Sequence, residues 1–165
     1  MERSALLKIF SVTTLSLLGS GNIFAATTTS NFNVTATVSN ACQNLSANNI
    51  SFGTYDPLSG SDSTSTGSIS VQCTKDAAYA LSLSTGSSSS YTNRTMSNGT
   101  DTINYNLYND SGHTTVWGDG TNSTSTVSGT ATGGTDSSTV YAKATAGQSV
   151  SAGSYSDTIT VTITY

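Results

Sequence analysis

The chain has 165 residues, five Lys or Arg against nine Asp or Glu, and a formal charge of −4. One domain's worth of core fits that length. A weakly charged acidic chain offers nothing to attract nucleic acid or an anionic membrane. Ser, Thr, Asn and Gly must then supply its solubility, while eight Tyr, four Phe and one Trp can build a modest core.

Residues 1–25, "MERSALLKIFSVTTLSLLGSGNIFA", have the parts of a secretory signal. Arg3 and Lys8 make a basic start, Ile9 to Leu18 is a short apolar run, and small residues at Ala25 and Ala26 offer a cleavage point. The run is interrupted by Ser11, Thr13, Thr14 and Ser16, and is shorter than the roughly 20 apolar residues a bilayer span needs. Export with cleavage near Ala25 or Ala26 is therefore expected, with no membrane insertion afterwards. The mature chain keeps Lys75, Arg94 and Lys143 as cations and contains no Glu. Its two cysteines, Cys42 and Cys73, form an even pair in an exported chain and are expected to make one disulfide.

The mature sequence alternates almost everywhere. "NFNVTATV" (31–38) puts Phe32, Val34, Ala36 and Val38 on one face. "SFGTYDPL" (51–58) begins like a strand that Pro57 should end. "GSISVQC" (67–73), "YALSLS" (79–84), "INYNLY" (103–108) and "STVYAKA" (138–144) follow the same period of two. The run 154–165 sets Ile159, Val161, Ile163 and Tyr165 against Thr158, Thr160, Thr162 and Thr164. Period two with β-branched and aromatic residues predicts half-buried strands, and no mature stretch has helical periodicity. "GSDSTSTG" (60–67), "STGSSSS" (84–90), "SNGTD" (97–101), "NDSG" (109–112) and "SGTATGGTDSS" (128–138) read as loops. The pattern predicts an all-β sandwich of about seven strands.

Catalytic and metal-binding chemistry finds no support. No GxSxG elbow or SxxK pair occurs, and although Asp119 lies six residues after His113, nothing marks a partner nucleophile. One histidine and no CxxC leave too few ligands for zinc, no DxDxDG loop suggests calcium, and no Lys follows "GTATGG" (129–134) to hold a phosphate. No cofactor is expected. Trp117 in "VWGDG" could meet a sugar, but a Trp in a small sandwich more often fills the core. The last eight residues carry none of the Lys, Pro or bulge devices that blunt an exposed strand edge.

"ISFGTYDPLSG" (50–60), "GSISVQCT" (67–74), "YALSLSTG" (79–86), "RTM" (94–96), "INYNLYND" (103–110), "VWGDG" (116–120) and "TVYAKATAGQSVSAGSYSDTITVTITY" (139–165) stand in this order. Together with the two cysteines they resemble the spore coat protein U domain family, which includes subunits of archaic (Csu-type) chaperone–usher pili. The resemblance implies a signal peptide at 1–25, a donor strand at 26–38 and a pilin-type, immunoglobulin-like β-sandwich at 39–165 that lacks its last strand. A periplasmic chaperone, and then the N-terminal strand of an identical or related subunit, would complete it; an outer-membrane usher would export it. Phe32, Val34, Ala36 and Val38 would be donor plugs, and Ile159, Val161, Ile163 and Tyr165 the acceptor groove or its flank. Tyr165 and its carboxylate would be read by the chaperone, although the better-known pilins carry that aromatic one position earlier. Tyr105, Tyr108, Trp117, Tyr141 and Tyr155 are expected to pack rather than bind ligands. The expected role is a non-enzymatic structural subunit of a cell-surface fimbrium, serving attachment and biofilm formation. A spore-coat protein and a free-standing glycan-binding sandwich are the alternatives.

Overall fold

The structure is a computed structural model and describes residues 24–165; the expected signal segment lies almost wholly outside the described residues. The chain divides after Ala36. Up to that point the described residues, 24–36, contain no strand, and Phe32 and Val34 are each 85% exposed. The alternation at 31–38 therefore does not form a strand within this chain, and Val38 is 81% exposed as well. A period of two prepares a segment for a sheet, but pairing needs a neighbouring edge.

Residues 37–165 carry eight strands: β1 (Cys42–Ala47), β2 (Ser63–Cys73), β3 (Ala78–Leu83), β4 (Arg94–Ser97), β5 (Thr102–Tyr108), β6 (Val127–Thr130), β7 (Thr135–Ala144) and β8 (Val161–Thr164). All pairings are antiparallel, giving a five-stranded sheet in the order β1-β2-β7-β5-β4 and a three-stranded sheet in the order β6-β3-β8. No helix occurs among the described residues. Ile69, Leu81, Leu83, Ile103, Leu107 and Val140 fill the space between the sheets, with Trp117 fully buried among them. The all-β sandwich expected from the alternation is the observed architecture.

Several local expectations are corrected. Residues 51–58 form no strand. Phe52 and Tyr55 pack on the core individually, and the Tyr55 hydroxyl donates to the Thr145 carbonyl at 2.6 Å. β2 starts at Ser63, inside a stretch that reads as a loop, because Ser63 to Thr66 pair with Ala144 to Tyr141. Main-chain pairing does not require apolar side chains, so an outward Ser/Thr run is invisible to a hydrophobic pattern. β6 also falls partly within an expected loop. Its Gly129 lies under the Tyr79 ring, whose atoms would stand 2.8 Å from any Cβ added there. β1 is mostly exposed and shows no alternation, but it is held by its pairing with β2. Cys42 and Cys73 are directly opposed there and disulfide-bonded, their Cα atoms 4.0 Å apart.

Trp117 donates its indole N–H to the Leu81 carbonyl at 3.0 Å and cannot present its ring to a sugar. Tyr105 is buried, whereas Tyr108, Tyr141 and Tyr155 are half-buried. Tyr108 and Tyr141 are cross-strand partners, next to the inward Leu107–Ala142 pair and so on the outer face, and His113 packs edge-on against both rings.

Candidate functional site: an open strand edge over an apolar cleft

β8 ends the three-stranded sheet, pairing with β3 from Leu83↔Val161 to Ala80↔Thr164. Just before it, the Thr160 carbonyl accepts from the Ser84 N–H at 2.9 Å, and the Thr160 N–H donates to Ser84 Oγ at 2.9 Å. Both main-chain groups of Thr160 thus face the β3 side. Because successive residues of a strand turn these groups to opposite sides, Val161 and Ile163 aim theirs at the other edge. That edge has no strand partner among the described residues.

The same residues send their side chains inward. Ile159, Val161 and Ile163 are half-buried against the core, whereas Tyr165 is 56% exposed. Beside Ile159 and Val161 a cleft of about 450 Å³ opens into the sandwich, lined also by residues 47–50 and Phe52. Ile69, Leu83, Tyr105, Leu107 and Val140 form its floor. A second cleft of about 620 Å³ shares Ile50, Phe52, Met96 and Tyr155 with the first. Ile163 lies at the other end, where it packs with the cluster around the Cys42–Cys73 disulfide. The structure therefore brings Ile159, Val161 and Ile163 together as one wall and leaves Tyr165 largely outside. Phe32, Val34, Ala36 and Val38 are exposed and outside any strand.

One charged group lines the first cleft. Asp157 accepts from Ser87 N–H (2.8 Å), Ser87 Oγ (2.7 Å) and its neighbour Thr158 N–H (2.8 Å) through one oxygen, and from the Tyr105 hydroxyl (2.6 Å) through the other. Burial opposes its ionisation, but bonds from Tyr105, Ser87 and Thr158 outweigh burial and hold its carboxyl below the ordinary carboxylate range. Burial, with the Asp157 hydrogen bond and charge, pushes the Tyr105 hydroxyl far above its ordinary value. The fully buried Arg94 lies nearby. It donates to the Ser84 carbonyl twice (3.0 and 2.8 Å), to the Trp117 carbonyl (2.8 Å) and to Asn106 Oδ1 (2.7 Å). Burial pulls its guanidinium below its ordinary value, and the charges around it, Tyr105 and Tyr91 foremost, oppose that. In the sequence Asp157 carries no assigned role, and Arg94 stands out only as a cation within the motif "RTM". The signal was there: Asp157 occupies the inward register of the run Tyr155, Asp157, Ile159, Val161, where a carboxylate needs partners.

Among the described residues no cluster of three or more His, Cys, Asp or Glu could hold a metal ion. The arrangement leaves the outer main-chain groups of β8 without a strand partner among the described residues, beside a cleft lined largely by apolar side chains.

The family model for the Spore Coat Protein U domain matches residues 28–162. The chain belongs to this family. It is 35% identical over 162 residues to "Protein U" of Myxococcus xanthus, covering 86% of this chain and 87% of that protein. Its fold is similar to that of a chain in the crystal structure of the CsuC–CsuE chaperone–tip adhesion subunit pre-assembly complex from archaic chaperone-usher Csu pili of Acinetobacter baumannii. That similarity has a TM-score of 0.59 at 23% identity and covers 78% of this chain; this chain spans only 40% of that one. The Spore Coat Protein U domain boundaries thus enclose the disulfide, the cleft and the first half of β8, and begin before Phe32.

Proposed function

We propose that this protein is a structural subunit of an extracellular filament of the chaperone–usher type, polymerising when residues 32–38 of one copy pair beside β8 of the next. The single observation that carries the reading is the unpartnered β8 edge above an open apolar cleft. Phe32, Val34, Ala36 and Val38 recur every second residue, so one face of an added strand would fill the cleft while the other stayed polar. Residues 32–38 and 159–165 each span about 20 Å when extended, so donor and edge match in length. Full burial of Phe32, Val34 and Val38 would contribute roughly 1.5–3 kcal/mol each, beside a ladder of main-chain hydrogen bonds. One head-to-tail contact repeated without closure makes an open fibre.

The same exposed groove requires protection before assembly. A periplasmic chaperone would occupy it, with Tyr165 at its end available for recognition, and an outer-membrane usher would hand subunits to the surface. The fold similarity to a chain from a pilus chaperone–subunit complex supports this route. Surface attachment and biofilm formation would follow from a fimbrium of such subunits. The family's name favours a second setting, a spore coat, which the same polymer chemistry would serve. The role is structural rather than enzymatic.

The test is expression of the mature chain alone and with a cognate chaperone. Alone, it should give detergent-resistant ladders on unheated gels; with the chaperone, a 1:1 complex. Val34→Asp should abolish the ladders and leave the chaperone complex intact. A stable monomer that is unaffected by deletion of residues 27–38 would end this reading.

A further inference from the structure

An apolar cleft that waits for a strand is under pressure to close, because its walls gain by meeting each other. Something polar must hold the two sheets apart at the rim. The chain crosses between sheets immediately before β8. Ser156 exchanges main-chain hydrogen bonds with Ser97 of β4 (3.0 and 3.1 Å) in the larger sheet. Four residues later Thr160 is bonded to Ser84, next to β3 in the smaller one. Asp157 lies in that crossing. Its carboxylate reaches Tyr105 of β5 in the larger sheet and Ser87 in the loop that follows β3. Arg94 of β4 fixes the same Ser84 from the larger sheet. Gly86, at φ +67°, leaves the space the carboxylate occupies; a Cβ there would overlap Asp157.

We propose that Asp157 is a positioning residue for strand acceptance: a polar strut, braced by Tyr105 and Ser87, that holds the mouth of the cleft open and sets the β8 edge at strand-accepting spacing. This rests on the strand-acceptor reading above. The strut acts through Ile159 and Val161, the residues that follow it in the cleft wall.

The mature full-length chain carrying Val34→Asp, which cannot donate, serves as acceptor, and a fluorescein-labelled peptide of residues 27–40 serves as donor. Association is followed by anisotropy, and fold integrity by denaturation monitored through the single buried Trp117. Asp157→Asn, Tyr105→Phe and Val127→Ala are each added to the acceptor. Val127 packs on the core from β6 and does not line the cleft, so it reports general destabilisation. Asp157→Asn should slow peptide association by about tenfold or more beyond the Val127→Ala effect, the scale of losing charge-assisted hydrogen bonds. Tyr105→Phe should fall between the two, and it decides the matter if Asp157→Asn does not fold. If both groove variants accept the peptide as fast as Val127→Ala, the strut is refuted while strand acceptance stands. If no acceptor binds the peptide, the strand-acceptor reading falls and the strut with it.

Discussion

Arg94 shows how a single polar residue can organise an apolar interior. Its guanidinium meets only neutral acceptors, two main-chain carbonyls and one amide oxygen, and no carboxylate is bonded to it. Removing the side chain would take these donors from the Ser84 and Trp117 carbonyls, each at a cost of about 1–3 kcal/mol, while Asn106 Oδ1 would keep the Leu107 N–H. Arg94→Ala should therefore lower unfolding stability by several kcal/mol in chemical denaturation. Arg94→Lys should not restore it, because an ammonium cannot reproduce the planar fork that reaches Ser84, Asn106 and Trp117 together. Asp157 gives the fold an acid limit. Its folded pKa lies below the ordinary value that the unfolded chain retains, so in that interval the unfolded state binds more protons. The contribution is complete above the ordinary carboxylate pKa and is lost as the pH falls from there through the folded one. Asp101 and Asp110, also depressed by hydrogen bonds, add to the same slope. Denaturation midpoints should drop in that acid window, and Asp157→Asn should flatten part of the drop. Tyr105 works at the opposite extreme: its raised pKa means that stability declines once alkaline pH ionises the unfolded tyrosine first.

At the level of elements, β1 depends on its covalent tie. It buries little and carries a register irregularity between Gln43 and Ser46, with Asn44 at φ 55°. The disulfide closes a separation of 31 residues, and the constraint on the unfolded chain contributes about 3–4 kcal/mol in the chain-entropy model. Cys42→Ser combined with Cys73→Ser should lower stability by that order, with β1 amides the first to exchange in hydrogen–deuterium measurements. The pairing of the two cysteines was legible from their number and the exported context, but β1 itself was not. "CQNLSA" has neither period nor apolar face, and only its position beside β2 makes it a strand. The terminal run illustrates the reverse case. Alternation extends over residues 154–165, yet only Val161–Thr164 form a strand, because Tyr155 to Thr160 are used in the crossing between sheets, with Ser156 bridged to Ser97.

For the whole molecule, the consequence is a sandwich whose sheets are unequal, five strands facing three, with β8 at one edge of the smaller sheet, where the proposed donor would add. A protein built this way should be more stable in company than alone. Mature chain purified from the chaperone complex should show a denaturation midpoint that rises with protein concentration as subunits pair. The same chain lacking residues 26–38 should lose that dependence and still accept added donor peptide.

The sequence alone determined the all-β class, the inward faces of β2, β3, β5 and β7, the burial of Trp117 and the family, because side-chain alternation and ordered motifs are local properties of the chain. It could not decide which alternating segments find a partner. Residues 31–38 and 161–164 carry the same signal, and only the second is paired within this molecule. Strand pairing is a relation between distant edges, as is the meeting of Asp157, Tyr105 and Ser87 across two sheets, so the open edge and its strut became visible only in the tertiary structure.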